Sequence, residues 1–249
     1  MRIDPDRTPM PLFVLREQYR HINVPLHRHR RAQLIHVSHG TLTVATLDHQ
    51  WTIPPQRGVW IAPGTEHRIR SPTPFTLTTC YIEPDLFGAQ REGIVVVDAL
   101  THALLPEVAV LGEEWKTRAA DRLVAVLFDR LAALPDPGVG LPIMSDGPLL
   151  RLVQQLLDNP ATPEPLSILA PRCGLSERSA ARHFMSEFGM SFGAWRRQLR
   201  LQTALARLGA GCSVTETAFD VGYKDVSSFI TAFRSQYGTS PGQIFRNLA

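Results

Sequence analysis

Three histidines and one glutamine in the N-terminal part of the sequence have the types and spacing of a ligand site. His27 and His29 project from one face of a strand because side chains alternate along an extended chain, and Gln33 shares their parity. His67 could complete the group from a neighbouring strand. Three imidazoles and an oxygen donor suit a divalent metal such as zinc, nickel or iron. The same side chains with Trp60 could instead line a metal-free effector pocket, or the histidines could be purely structural.

A second group of side chains, near the C-terminus, could bind DNA. Arg178 and Arg182 could form paired hydrogen bonds with guanine edges. Ser227, Ser228 and Thr231 are short, so they could reach bases or phosphates only if the backbone comes close to the groove. The remaining predicted DNA contacts are basic: Arg196, Arg197, Arg200 and Lys224, which suit phosphates, and Arg234 on the open face of its helix. Phosphate contacts set affinity and orientation, whereas base contacts set sequence preference.

These C-terminal residues lie on an internal repeat. Ala170 and Gly174 match Ala218 and Gly222 at an offset of 48 residues. Beyond the turn the offset becomes 49, and the matched pairs are Ser179 with Ser228, Phe184 with Phe233, Phe188 with Tyr237, Gly189 with Gly238, Ser191 with Ser240 and Gly193 with Gly242. The second turn is therefore one residue longer than the first.

Each copy of the repeat predicts a helix-turn-helix unit. A short helix with a small residue is followed four residues later by a glycine that can adopt positive φ, then by a polar turn and a longer helix. Ser176 and Thr215 are the expected N-caps. Between the copies, apolar spacing from Trp195 to Leu208 predicts a long helix that would fix one unit relative to the other. Two fixed recognition helices could enter major-groove segments about 34 Å apart.

The chain in front of the repeat has a different character. Short apolar stretches separated by proline and glycine between about Leu12 and Ile82 predict an antiparallel sandwich or barrel. Apolar spacing between Asp98 and Leu134 predicts one or two helices. We thus predict a multidomain α and β protein: a sensor domain (1–97), a helical connector that could also form dimers (98–134), a linker (135–147) and an all-α DNA-binding domain (148–249).

Composition restricts the class of protein further. With 249 residues, 44% of them apolar, the chain can bury one or two ordinary cores. No segment approaches the roughly 20 apolar residues that span a bilayer, so a soluble, cytoplasmic protein is expected. Three widely spaced cysteines fit neither a disulfide framework nor a cysteine-built zinc site. Residues 172–207 contain seven arginines and two glutamates, a local basic surface that suits a phosphate backbone.

The C-terminal motifs resemble a known family. The segments SFGAWRRQLRLQTA and GCSVTETAFDVGYKDVSSFITAFRSQYGTSPGQIFR resemble the DNA-binding domain of the AraC/XylS transcription regulators over about Pro148 to Arg246. The resemblance implies recognition helices at approximately Glu177 to Phe188 and Val226 to Gln236. Pro171 departs from the pattern, since a proline there removes a helical hydrogen bond and favours a kink.

The N-terminal motifs resemble the two motifs of a cupin barrel, a common sensor domain in that family. They are HRHRRAQLIHVSHG, from His27, and GVWIAPGTEH, which ends at His67. Three departures weigh against an enzyme: Gln33 stands where metal cupins usually have glutamate, Ser71 replaces an asparagine, and Pro63 directly precedes Gly64.

Together these features predict a regulator that is not an enzyme. A small molecule or metal in the barrel would control binding to double-stranded promoter DNA, and a second copy of the chain and RNA polymerase are the implied protein partners. The main alternative is a metal-dependent cupin enzyme, such as an oxygenase or isomerase, with a helical appendage. A DNA-bending architectural protein is a third reading.

Overall fold

The computed structural model describes residues 4–87, 92–112, 115–134, 140–144 and 146–245 in two compact units. One unit lies within residues 1–46 and 53–140, and the other within 47–52 and 141–247. Residues 135–139 and 145 of the predicted linker, and the chain end from 246, lie outside the described residues. No helix in the described ranges is both long and apolar enough to cross a membrane.

The N-terminal half is rich in β-strands, as its sequence predicts. The strands are β1 Leu12–Tyr19, β2 Ile22–His27, β3 Ala32–His39, β4 Leu42–Ala45, β5 His49–Ile53, β6 Arg57–Ile61, β7 His67–Ser71, β8 Phe75–Ile82, β9 Gly93–Val96 and β10 Leu141–Pro142. One antiparallel sheet of the first unit has the order β1-β8-β3-β6-β9, and β7 pairs with both β2 and β4. In the second unit, β5 pairs with β10.

Strand register separates the two faces of the first sheet. Gln33 lies opposite Ile61 on β6 and Tyr81 on β8, so these three side chains share a face. Leu34 lies opposite Trp60 and Cys80 in the same two pairings and faces the other way.

Two helices cover the face of this sheet that carries Leu34. They are α2, Ala99–Val110, and α3, Arg118–Ala132, which follow a four-residue helix α1, Pro84–Phe87. Leu105 and Leu127, on α2 and α3, are fully buried in one apolar cluster with Leu34. The two helices that lie in the predicted helical segment 98–134 thus pack on this sheet. Asp98 caps α2 by accepting a hydrogen bond from the Thr101 backbone N–H.

The C-terminal unit is helical. Its helices are α4 Leu150–Asp158, α5 Leu166–Arg172, α6 Glu177–Phe188, α7 Phe192–Gly209, α8 Val214–Asp220 and α9 Val226–Tyr237. Helices α5 and α6 form the first helix-turn-helix unit, α8 and α9 form the second, and α7 connects them. The recognition helices α6 and α9 agree with the ranges that the sequence predicts, apart from one extra residue at the end of α9.

Short polar side chains cap these helices. Ser176 accepts from the Ser179 N–H at the start of α6, as predicted. The predicted cap Thr215 is wrong: Ser213 accepts from the Glu216 N–H, and Thr215 lies inside α8. The helix begins two residues earlier than its apolar pattern indicates because Ser213 and Glu216 have capping-box spacing.

Candidate DNA-binding surface and ligand site

The first recognition helix presents arginine to solvent. In α6, Ala180 and Phe184 are buried, whereas Arg178 and Arg182 are exposed on the opposite side. The inner residues recur at a spacing of four, which leaves the arginines on the outer face. The structure thus places both side chains where the sequence predicts an open surface.

The second recognition helix has a different chemistry on its open face. Phe229 and Phe233 are buried, and the exposed residues of α9 include Ser227, Ser228, Thr231 and Arg234. Arg197 of α7 lines a shallow pocket of about 550 Å³ together with Ser227, Ser228 and Thr231. With Ser235, which lines the same surface, one arginine and four hydroxyl groups therefore meet on one side of the unit.

Hydrogen bonds within the helix orient two of these hydroxyl groups. Ser228 Oγ donates to Asp225 Oδ2 at 2.8 Å, and Thr231 Oγ1 donates to the Ser227 carbonyl oxygen at 3.0 Å. In this arrangement both hydroxyl oxygens offer lone pairs and not protons. Amino groups on base edges are therefore better partners for them than phosphate oxygens, which need a donor.

The other predicted phosphate contacts have different surroundings. Arg197 and Lys224 are exposed. Arg196 is partly buried: its guanidinium donates to the Glu164 carbonyl oxygen at 2.7 Å and lies over the Phe192 ring at 4.7 Å from the centroid. Burial lowers the pKa of Arg196. Part of this guanidinium therefore stabilises the domain and is not available to DNA.

The surroundings of Arg200 differ from those that its predicted role as a phosphate contact requires. Its guanidinium donates to four backbone carbonyl oxygens, at Pro160, Ala161, Thr162 and Gly222. Four of its five N–H groups point at the protein and not outward. Arg200 therefore stabilises the domain, and its guanidinium has little left to offer a phosphate.

In the N-terminal unit, the three predicted histidines lie together. The ring centroids of His27 and His67 are 4.3 Å apart, and those of His27 and His29 are 4.9 Å apart. One ligand nitrogen from each residue lies within 4.8 Å of the other two. Nitrogens that share one zinc ion at about 2.0–2.1 Å are about 3.3 Å apart, so a small rotation of the rings would bring them into ligand positions.

Backbone hydrogen bonds select the tautomer of two of these rings. His27 Nδ1 donates to the Pro25 carbonyl oxygen at 2.8 Å, and His67 Nδ1 donates to the Thr65 carbonyl oxygen at 3.0 Å. A neutral ring that donates from Nδ1 carries its lone pair on Nε2. His67 Nε2 is buried and has no hydrogen-bond partner among the described residues. Metal-binding histidines commonly have this arrangement, in which the far nitrogen is held by a carbonyl.

Burial keeps two of the imidazoles neutral at physiological pH. Burial, together with the neighbouring rings of His27 and His29, lowers the pKa of His67 to about 4. Burial and the neighbouring His27 ring also lower the pKa of His29. Neutral imidazole is the form that binds a metal, so protons compete little with a metal at these rings.

Gln33 reaches this group through a tyrosine. Its Nε2 donates to the Tyr81 hydroxyl at 3.3 Å, and its buried Oε1 has no partner among the described residues. The Tyr81 ring contacts the His29 ring edge-on, with centroids 5.5 Å apart. Sequence reasoning missed Tyr81, although alternation along β8 from the buried Cys80 could have indicated it.

Trp60 does not lie in the predicted effector pocket. It is only 3% exposed and packs in the cluster of Leu34 and Cys80, beneath α2 and α3. Because it pairs with Leu34 across the strands, its side chain lies on the opposite face of the sheet from Gln33. It therefore belongs to the core and does not line the predicted pocket.

Two family models match the sequence of this chain. Residues 10–105 match the AraC-like ligand binding domain, and residues 169–247 match a helix-turn-helix domain. The first match contains all three histidines, and the second contains both recognition helices.

The chain is also similar to individual regulators and to solved structures. The HTH-type transcriptional regulator NimR of Escherichia coli K12 is 32% identical over 229 residues, which cover 90% of this chain and 83% of NimR. Among solved structures, ToxT from Vibrio cholerae O395 is 11% identical with a TM-score of 0.43, and the match covers 96% of this chain and 98% of ToxT. The DNA-binding domain of AdpA, in complex with a target DNA, is 27% identical with a TM-score of 0.39, over 41% of this chain and 92% of that domain.

Proposed function

Since the chain belongs to the AraC family of transcriptional regulators, we propose that a ligand bound by its three histidines controls the binding of promoter DNA by its helix-turn-helix units. Regulators of this type combine a ligand-binding domain with a helix-turn-helix domain, and the chain has both. The observation that carries the proposal is the cluster of three imidazoles in the unit that does not carry the recognition helices.

We propose a divalent metal, namely zinc, nickel or iron, as the ligand of this cluster. The donor set supports it: His27 and His67 present Nε2 lone pairs, and His29 lies within reach of both. The buried Nε2 of His67, which no described residue satisfies, also supports it, because such an atom costs free energy unless a ligand satisfies it. The bound ion would supply a positive charge that the neutral rings lack.

The chain's own residues would hold and orient the ligand. The carbonyl oxygens of Pro25 and Thr65 fix two of the rings. Gln33, whose buried Oε1 has no partner among the described residues, is a candidate for a fourth donor, but a neutral amide is a weaker ligand than a carboxylate. A site of this kind favours reversible binding, which suits a sensor.

Calorimetric titration of the chelator-treated full-length protein with zinc, nickel and iron(II) tests the proposal. We expect one ion per chain. Loss of a hydrogen bond that supports a metal ligand can lower metal affinity about 100-fold, so loss of the ligand itself, in His27→Ala or His67→Ala, should lower it at least as much. His39→Ala is the matched control, because this exposed histidine lies outside the cluster. Equal affinity in all four proteins would contradict the metal site.

A small organic effector without metal is the second candidate for the same site. The free Gln33 Oε1 and the lone pair of His67 favour it, since both could accept hydrogen bonds from a polar ligand. Absence of metal binding, together with a shift in melting temperature by an organic compound that is lost in Gln33→Leu, would favour this candidate.

We further propose that the protein acts as a homodimer in the bacterial cytoplasm, on DNA and in contact with RNA polymerase, and that it is not an enzyme. The names of its relatives support a transcriptional regulator, whereas the cupin-enzyme alternative depends on the same histidines being catalytic. His27→Ala combined with His29→Ala separates the two. A regulator keeps specific DNA binding and loses its response, while an enzyme loses turnover.

A further inference from the structure

The two helix-turn-helix units meet at a small contact beside the connecting helix. Arg200 extends from the middle of α7 and reaches elements on both sides of it. On one side its Nε and Nη2 donate to the loop between α4 and α5, at the carbonyl oxygens of Pro160, Ala161 and Thr162, over 3.0, 3.3 and 2.8 Å. On the other side its Nη1 donates to the Gly222 carbonyl oxygen, in the turn of the second unit, at 2.9 Å.

A second observation places the same elements in direct contact. A Cβ atom built on Gly222 would lie 2.7 Å from the Ala161 carbonyl oxygen and 2.8 Å from Arg200 Nη2. The corresponding glycine of the first unit, Gly174, has nothing within 4 Å of its built Cβ. The close approach is therefore a property of the second turn and not of helix-turn-helix glycines in general.

We infer that Arg200 is a positioning residue that holds the two recognition helices at one separation, so that the protein accepts only one spacing between its two DNA half-sites. The loop at 160–162 lies shortly before α5, and Gly222 lies shortly before α9. Arg196 strengthens the same junction, since it donates from α7 to the Glu164 carbonyl oxygen just before α5. A planar guanidinium with fixed donors suits this role better than a flexible ammonium group.

Fixed separation has a measurable consequence on DNA. One inserted base pair moves the second half-site by about 3.4 Å and rotates it by about 35° around the duplex axis. A rigid pair of recognition helices cannot follow both changes and must lose one set of contacts. A pair held by α7 without the Arg200 contacts would be less constrained and would tolerate the insertion better.

The experiment uses the full-length protein and a site selected by the wild type from random-sequence DNA. Affinities are measured on that site and on the same site with one base pair inserted between its halves. For the wild type we expect the insertion to lower the affinity at least about 30-fold, because at least one good base contact is lost. For Arg200→Gln we expect weaker binding to the original site and a penalty of about 3-fold or less. Arg200→Lys should fall between them, because it keeps the charge but has fewer donors.

Arg197→Gln is the matched control on the same helix. Its exposed side chain is a predicted phosphate contact, so its loss should weaken binding to both DNAs equally and leave the insertion penalty unchanged. The inference is wrong if Arg200→Gln and Arg200→Lys also keep the wild-type penalty, because Arg200 would then only stabilise the fold. It is equally wrong if the wild type binds both DNAs alike. The inference rests on DNA binding by both units and not on the ligand of the barrel, so removal of metal does not enter this test.

Discussion

The exposed arginines of the C-terminal unit differ in what they can read on DNA. Arg182 lies on the open face of α6, where a guanidinium can reach a guanine edge, whereas Arg197 lies on α7, beside the recognition helix α9. We expect Arg182→Ala to cost about 1–3 kcal/mol on the preferred site and to relax the choice of base at one position. Arg197→Ala should weaken all sites uniformly and reduce the slope of log K against log salt by about 1.

Binding titrations on the selected site and its single-base variants, at several salt concentrations, measure both effects. Glu177→Ala is a useful control, because it removes an exposed charge from the first turn of α6 without touching an arginine. A uniform loss in Arg182→Ala, with base preference unchanged, would assign that side chain to phosphate contact.

His36 makes the stability of the first unit depend on pH. It is 1% exposed, its Nδ1 donates to the Arg57 carbonyl oxygen, and its Nε2 accepts from His102 Nδ1 at 3.0 Å. Burial lowers the pKa of His36 to about 4 from 6.5. Between these two values the unfolded chain takes up a proton that the folded chain excludes. The contribution of His36 to the unfolding free energy should therefore fall by about 2 kcal/mol between pH 7 and pH 5.

Urea denaturation at pH 7 and pH 5 tests this contribution. His36→Gln, which stays neutral in both states, should lose about 2 kcal/mol less than the wild type over this interval. His39→Gln changes an exposed histidine on the same strand and should follow the wild type. Identical pH dependence in all three proteins would contradict the role of His36.

At the scale of elements, the recognition helices were predictable because local signals mark both ends. Ser176 is an N-cap in sequence and in structure, and Gly189 ends α6 with φ of 67°. The histidine cluster was equally accessible, since strand parity brings His27 and His29 to one face and pairing brings His67 opposite His27.

The surroundings of Trp60 and Arg200 could not be predicted, because they depend on contacts between residues far apart in the sequence. Alternation separates the two faces of a strand, but it does not say which face helices will cover, so the sequence cannot distinguish a pocket position from a core position for Trp60. Arg200 has the composition of a phosphate contact, and only the fold brings four carbonyl oxygens to it.

The two turns of the repeat should respond differently to the same substitution. Gly174 and Gly222 have nearly equal φ, at 81° and 86°, so alanine costs about 1 kcal/mol at either position from backbone strain alone. Only at Gly222 would the new Cβ also meet backbone, 2.7 Å from the Ala161 carbonyl oxygen. We expect Gly222→Ala to cost about 1–3 kcal/mol more than Gly174→Ala in unfolding free energy. Equal costs in chemical denaturation would show that the turn of the second unit can move away from the loop at 160–162.

For the whole molecule, control of DNA by a ligand is a coupling between two sites in different units. The three histidines lie in the first unit and both recognition helices lie in the second. A ligand can shift DNA affinity only by its own difference in affinity for the DNA-bound and free protein. Tight binding of metal is therefore not sufficient evidence of regulation.

Reciprocity makes this coupling measurable. We expect saturating zinc to change the affinity for the selected site by about 5- to 150-fold, the range of typical coupling free energies, and saturating DNA to change the affinity for zinc by the same factor. Fluorescence anisotropy measures the first factor and competition with a zinc chelator the second. His67→Ala should reduce both factors to 1 while leaving DNA affinity without zinc near that of the wild type, because His67 lies outside the DNA-binding unit. If the wild type binds zinc at the three histidines and its DNA affinity does not change, the metal is structural and the regulatory ligand is another molecule.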